Sequence, residues 1–294
     1  MTVPLRVALA TCAEYPNLDD DDQLLRDALT ARGAVAVPMV WNAPGDWGDV
    51  DLVVIRQTWD YAERRDEFLA WVDEVSAQTS IANHPELVRW STDKHYLRDL
   101  VAAGVPCVPT TFHEPGDPWS VPADGEYVVK PAISAGSRNT ARYGPGDETR
   151  AIEHITRLHA EGRSVMIQPY LSSVDQDGET ALLYFEGRFS HAARKGPLLV
   201  RNAYMTDALF LEETITPTTA TEEQRRVSEA ALAVAARVSG GHPLLYARVD
   251  LIGDTAPVVL ELELVEPSTF LRTDPGAADR FAEAILRTPG MPST

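Results

Sequence analysis

Cysteine is scarce in this 294-residue chain: Cys12 and Cys107 are the only two. They cannot build a disulfide framework and have no metal-ligand spacing, so reduced thiols are expected. Long apolar runs are missing too, since none approaches the roughly 18 residues a membrane span needs. The first residues, MTVPLRVALATC, lack the cleavage pattern of a signal peptide. A cytoplasmic protein without a membrane partner is the expectation. Positive charge is in deficit, with 26 Lys and Arg against 44 Asp and Glu for a net charge of −18. Nucleic acid demands the opposite footprint and is excluded as a partner. Neither a P-loop nor a dinucleotide-type glycine fingerprint occurs after the first strand, and no internal repeat or low-complexity tract is found.

What is present is ordinary in bulk, with 44% hydrophobic residues, and long enough for two or three packed units. LRVALATC (5–12), AVAVPMVW and VDLVVIRQ (50–57) read as strands, with an amphipathic helix at 22–33 between the first two. That spacing predicts a parallel α/β unit. The run Asp19 to Asp22 reads as a solvated helix start, where carboxylates suit the dipole. A helix is expected over 67–78, and another from Trp90, capped by Ser91 and ending at Gly104. Beyond Pro109 the strand EYVVKPA, a small-residue loop, a helix and the strand SVMIQPYL predict an α+β unit. A hairpin turning at Glu186-Gly187, a helix and a final hairpin follow. His84, His95, His113 and His191 read as structural.

The final hairpin carries the first chemical signal. In VVLELELVEPSTF (258–270) the period is two, so Glu261 and Glu263 share a face roughly 7 Å apart and repel each other unless screened. A loop over Asp254 to Pro257 sets Asp250 opposite Glu261 and Arg248 opposite Glu263. Three carboxylates so placed suit a divalent cation, and a one-residue shift in register would scatter them. Mutual repulsion further predicts that neutralising one glutamate leaves the metal-free protein as stable or more so. Upstream, Lys130 ends an apolar strand and Ser134, Ala135, Gly136 and Ser137 follow; such small residues let backbone N–H groups approach an anion. In RQTWDY (56–61), at the carboxyl end of the third strand, Arg56 is a candidate partner for a substrate carboxylate. Trp59 and Tyr61 either wall a small pocket or only pack a domain interface.

Taken together and in order, TDKHYL, EYVVKPAISAGS, MIQPYL, ARVD and LELELVEP resemble the ATP-grasp superfamily, in its glutathione-synthetase-like branch, over nearly the whole chain. The resemblance implies an α/β and α+β fold: an N-terminal parallel α/β domain over 1–90, a small lid subdomain over 91–173 and a catalytic subdomain over 174–294. It implies ATP as cofactor, with Lys94 and Lys130 on its phosphates and Lys130 also near the adenine. Ser134, Ala135, Gly136 and Ser137 would close over the phosphates. Gln168 and the backbone of Pro169, Tyr170 and Leu171 would meet the adenine edge, with Glu179, or else Asp175, on the ribose. Asp250, Glu261 and Glu263 fall on the positions that hold one or two Mg2+ ions, for which Mn2+ can substitute. Arg248 falls where the transferred phosphoryl group and the acyl intermediate are steadied, making Arg248 and Lys130 the catalytic candidates.

Two departures stand out. Glu263 replaces the asparagine of many relatives, and Ala181 replaces an arginine, leaving Arg194, Lys195 and Arg201 as candidate anion binders. Glu266 and Ser268 complete the candidate substrate set. Within the superfamily, LATCAEYP, IRQTWDY and RWSTDK added to the other motifs most resemble the O-ureido-serine cyclo-ligases of cycloserine biosynthesis. That resemblance implies a small amino-acid-like substrate whose phosphorylated carboxylate closes onto its own nitrogen. The alternatives are intermolecular ligation of two small amino acids and a non-catalytic nucleotide- or metal-binding module. A homo-oligomer, dimer or tetramer, is expected.

Overall fold

Strands β1 (Arg6–Thr11), β2 (Val35–Val40), β3 (Leu52–Gln57) and β4 (Ser80–Ala82) form an all-parallel sheet in the order β2-β1-β3-β4. The computed structural model describes residues 4–199 and 213–288. β1 and β3 are buried along almost their whole length, as parallel strands covered on both faces must be. β4 escapes sequence reading because three residues are too few to show a period.

Helix α1 (Asp20–Ala31) starts at the acidic run, and Asp19 caps it by accepting from the N–H groups of Asp21 and Asp22. The solvated reading of that run needs correction. Asp22 is 3% exposed and pairs with Arg56, itself 1% exposed, at 3.0 Å. Asp21 accepts from the N–H groups of Leu271 and Arg272 at 3.0 Å each. Arg56 also donates to Pro267 O at 2.8 Å. The acidic helix start therefore anchors the segment after the final strand. Asp22→Asn, which removes the charge but keeps an acceptor, is expected to destabilise the protein by on the order of 2 kcal/mol in urea denaturation, because Arg56 stays buried with a weaker partner.

A C-terminal helix, α8 (Ala277–Arg287), lies against α1. Phe281, Ala282 and Ile285 join Val7, Leu9, Leu25 and Leu29 in one core. Helix α2 (Arg65–Ser76) covers the other face through Phe68, Val72 and Val75, packed with Ala8, Ala10, Val53 and Ile55.

The helix expected from Trp90 is two helices. α3 (Pro85–Ser91) ends where a cap was expected, and α4 (Tyr96–Ala102) begins after a break. In that break Lys94 N–H bonds to Ala132 O at 3.0 Å, and the Asp93 carboxylate takes His95 N–H at 3.1 Å. Bonds that would have continued the helix are redirected, and Lys94 is delivered to the next sheet.

That sheet contains β5 (Thr111–His113), β6 (Tyr127–Pro131), β7 (Ala141–Tyr143) and β8 (Val165–Pro169), antiparallel in the order β5-β8-β6-β7. Helix α5 (Glu148–Ala160) covers it through Ala151, Ile155 and Leu158. After the short helix α6 (Val174–Asp177) comes a five-stranded antiparallel sheet, ordered β11-β10-β9-β12-β13. Its strands are β9 (Glu179–Phe185), β10 (Arg188–Lys195), β11 (Ile215–Thr218), β12 (Tyr246–Ile252) and β13 (Val258–Glu263). The β9–β10 turn is at Glu186-Gly187, both at positive φ (50° and 70°), as two-residue hairpins prefer. Helix α7 (Glu222–Val238) backs the sheet and opens with a Thr221–Gln224 capping box. No helix among the described residues is long and apolar enough to cross a membrane.

Candidate active site

The β12–β13 ladder pairs Arg248 with Glu263 and Asp250 with Glu261, the register expected. It arrives there by a different route. The loop runs from Gly253 to Pro257, so Ile252 faces Val258, which alone would leave the register one residue out. A bulge at Leu260 restores it before Glu261. Asp250, Glu261 and Glu263 then present carboxylate oxygens all within 4.8 Å of one another. Hard oxygen donors at that spacing fit Mg2+ or a similar divalent ion.

Cations interleave with these acids. Arg248 grips Asp250 through Nε (2.9 Å) and Nη2 (3.1 Å), reaches Glu263 at 2.6 Å, and donates to Ser268 O at 3.1 Å. Lys195 lies 3.0 Å from both Asp250 and Glu179. Lys94 binds Glu261 at 2.9 Å and, with the same Nζ, Ser134 O at 2.7 Å. Burial alone would raise the pKa of Glu261, but Lys94 and then Lys130 outweigh it and hold the carboxylate at about 2. For Glu263 burial wins over Arg248, with Glu261 adding to the rise, and its pKa is pushed up to about 7.

Lys130 differs from the other cations. It is buried on β6, and its side-chain ammonium makes no hydrogen bond or ion pair to any described residue. Burial lowers its pKa; Glu261 offsets this in part and Lys94 adds to it.

Except for Asp250, which lies buried behind them, these groups line one cleft with Ser134, Ala135, Gly136, Ser137, Gln168, Pro169, Tyr170, Leu171, Glu179, Trp59, Tyr61, Glu266 and Ser268. Gln168 is held by Thr110 Oγ1 at 2.9 Å. Pro169 has no N–H and Tyr170 N–H bonds Glu126 O at 2.7 Å, so among the described residues Leu171 keeps the uncommitted amide of the three. Trp59 and Tyr61 lie on the short 3-10 helix Trp59–Glu63 and both pack an interface and wall the cleft. Trp59 Nε1 donates to Glu266 O at 3.0 Å.

Several candidates are not brought to the cleft. Arg56 is committed to Asp22 and Pro267, so it buttresses the segment bearing Glu266 and Ser268 and does not face a ligand. Asp175 is claimed by Arg142 (3.0 Å) and the Tyr170 hydroxyl (2.6 Å) outside the cleft, which leaves Glu179 as the ribose candidate. Arg194 turns away to Asp177 O (2.7 Å) and Asp254 (3.5 Å). Lys195 is in the cleft but serves carboxylates of the chain. Arg201 lies outside the described residues.

Comparison with known proteins decides the family. The chain is 39% identical to the cycloserine biosynthesis protein DcsG of Streptomyces lavendulae over 95% of its own length and 97% of that protein. It belongs to the D-cycloserine synthetase (DcsG) family. The family model for the DcsG N-terminal domain matches residues 7–83. The crystal structure of D-cycloserine synthetase DcsG superposes with a TM-score of 0.86 at 38% identity, covering 95% of this chain and 98% of that one. A D-alanine–D-alanine ligase from Bacillus anthracis shares the fold alone, with a TM-score of 0.65 at 15% identity and 97% of each chain covered. This member of the DcsG family has the ATP-grasp fold and is an ATP-dependent ligase that forms C–N bonds.

Other cleft residues of this DcsG-family chain had no sequence signal. Glu213, 3.9 Å from Lys195, precedes β11, and Phe270 places its ring 5.3 Å from the Arg248 guanidinium. Phe270 sits at φ 49°, a left-handed backbone unusual for a bulky residue. Arg138 reaches from the small-residue loop to Glu63 at 2.5 Å, and no pattern within either segment announces that pairing. The structural reading of the histidines gains partners: His191 Nε2 meets Thr269 O at 2.9 Å, and His84 stacks on His242 at 4.0 Å.

Proposed function

We propose that this protein phosphorylates the carboxylate of a small amino-acid-like substrate and closes the acyl phosphate intramolecularly onto the substrate's own nitrogen. The observation that carries the reading is end-to-end 39% identity to the cycloserine biosynthesis protein, read with a cleft that joins an acidic triad to lysines and a small aromatic wall. Asp250, Glu261 and Glu263 would hold one or two Mg2+ ions, which when bound neutralise phosphate charge. Phosphoryl transfer asks the protein chiefly for alignment and countercharge. Lys130 supplies a buried cation with no ion pair among the described residues to leave. Lys94 ties the carboxylate of Glu261 to the loop at Ser134, so the metal-binding strand and the loop are set relative to each other. Arg248, held in orientation by Asp250 and Glu263, steadies charge that develops on the transferred group.

In this scheme a substrate carboxylate oxygen attacks the γ-phosphorus and ADP leaves. The oxygen-bound nitrogen then loses its proton and attacks the acyl carbon, and inorganic phosphate leaves. With O-ureido-D-serine, water then cleaves the carbamoyl group from that nitrogen as carbon dioxide and ammonia to give D-cycloserine. Trp59 and Tyr61 confine the acceptor end, which favours ring closure over a second amino acid. The test is an ADP-release assay with MgATP and either O-ureido-serine or D-alanine, with products identified by mass spectrometry. ADP and D-cycloserine from the first substrate alone are the expected result. A dipeptide from D-alanine would replace ring closure by intermolecular ligation, and no ADP with either would remove the proposal.

A further inference from the structure

Glu266 stands apart from the other acids of the cleft. Glu179, Glu261 and Glu263 each have a lysine or arginine of this chain at 3.0 Å or less, and Glu213 has Lys195 at 3.9 Å. Glu266 is 8% exposed and has no ion pair to any described residue. The Tyr61 hydroxyl is the neutral donor that acts on its side chain, and its backbone oxygen receives the Trp59 indole N–H. Burial and the neighbouring Glu263 disfavour charge on this carboxyl, Lys94 offsets them only in part without forming an ion pair with it, and one neutral donor, Tyr61, does not replace a paired cation.

Its place in the cleft says which cation is missing. Glu266 lies beside Trp59, Tyr61 and Ser268, at the end contributed by the parallel α/β sheet. It is not part of the group of three acids close enough to share a metal ion. A phosphate would be repelled there. A positively charged group on the substrate would supply the one interaction the residue lacks.

Resting on the ring-closing function proposed above, we infer that Glu266 is a specificity-determining residue that receives the protonated primary amine of the substrate. Tyr61 positions its carboxylate for that contact. The cleft thereby distinguishes an amino acid from the otherwise identical compound lacking the amine. Such a contact, charge-assisted and buried, separates the two by about tenfold or more in affinity.

The test uses two rings that differ only in this group: D-cycloserine, which carries a primary amine, and isoxazolidin-3-one, which lacks it. Dissociation constants are measured by calorimetry in saturating MgADP for the full chain and for Glu266→Gln, with MgADP affinity reporting that the fold is intact. The wild type should prefer the amine by about tenfold or more, and Glu266→Gln should bring the ratio to about 1 by weakening D-cycloserine only. Glu266→Asp, which keeps the charge but shortens its reach, should give an intermediate ratio and serves if the Gln variant does not fold. A preference that survives both substitutions overturns the inference. Equal wild-type affinity for the two rings overturns it while leaving ring closure standing. Binding of neither ring removes the proposed function and this inference with it.

Discussion

Glu261→Gln should lower ADP formation by at least about 100-fold, the scale seen when an electrostatic contact to a transition state is removed. Glutamine keeps the shape and one acceptor oxygen, so the loss reports charge. The same substitution should destabilise the metal-free protein by about 1 to 3 kcal/mol in chemical denaturation, because Lys94 and Lys130 lose the carboxylate that offsets their burial. This sign is opposite to the one that alternation in β13 suggests. Two glutamates on one face should repel, yet Lys94 holds Glu261 at 2.9 Å and Arg248 holds Glu263 at 2.6 Å. Local pattern shows the acids; the cations that screen them come from a helix break and a neighbouring strand. Normal turnover of the variant with Mg2+ would remove the acidic triad from the mechanism. A more stable metal-free variant would mean that repulsion dominates after all.

Lys130→Met is expected to separate stability from binding. The side chain is similar in length and apolar, and it replaces a buried ammonium that forms no ion pair with any described residue and whose burial Glu261 offsets only in part. Where the burial cost exceeds the partial offset from Glu261, as the lowered pKa of Lys130 indicates, its removal should leave the ligand-free protein as stable or raise its melting temperature. Nucleotide affinity should fall by about 1.5 to 3 kcal/mol, or roughly 10- to 150-fold, the worth of a charge-assisted contact. Thermal melts of the free protein and titration with MgATP read the two effects independently. Unchanged MgATP affinity in a folded variant would place the nucleotide elsewhere.

Much of the candidate site was legible because its chemistry is carried by short-range pattern. Alternation in β12 and β13 put three carboxylates on one face, and an apolar strand ending in lysine before small residues marked the loop. The register was right although the loop was one residue longer than expected, since the Leu260 bulge compensates. Nothing in a period-two reading announces a bulge. What stayed illegible depends on partners far along the chain. Arg56 meets Asp22 from 34 positions away, and Asp175 meets Arg142 from 33. Sequence ranks such residues by type and place, whereas burial decides whether the charge is free for a ligand. The helix from Trp90 failed differently: its residues suit a helix, but Lys94 N–H finds a better acceptor in Ala132.

The packing of α8 on α1 has a consequence for synthesis. Arg32 and Asp279 meet at 2.7 Å across 247 positions, and Phe281 and Ile285 cover the face made by Val7, Leu9 and Leu29. While the chain grows on the ribosome, the first sheet has α2 for one face and α1 for part of the other, but waits for nearly the whole polypeptide before α8 completes that second face. Its earliest strands are therefore among the last to reach final protection, and they leave an apolar surface for chaperones to guard in the interval. Nascent chains arrested before α8 should bind such holdases, and release should follow emergence of that helix.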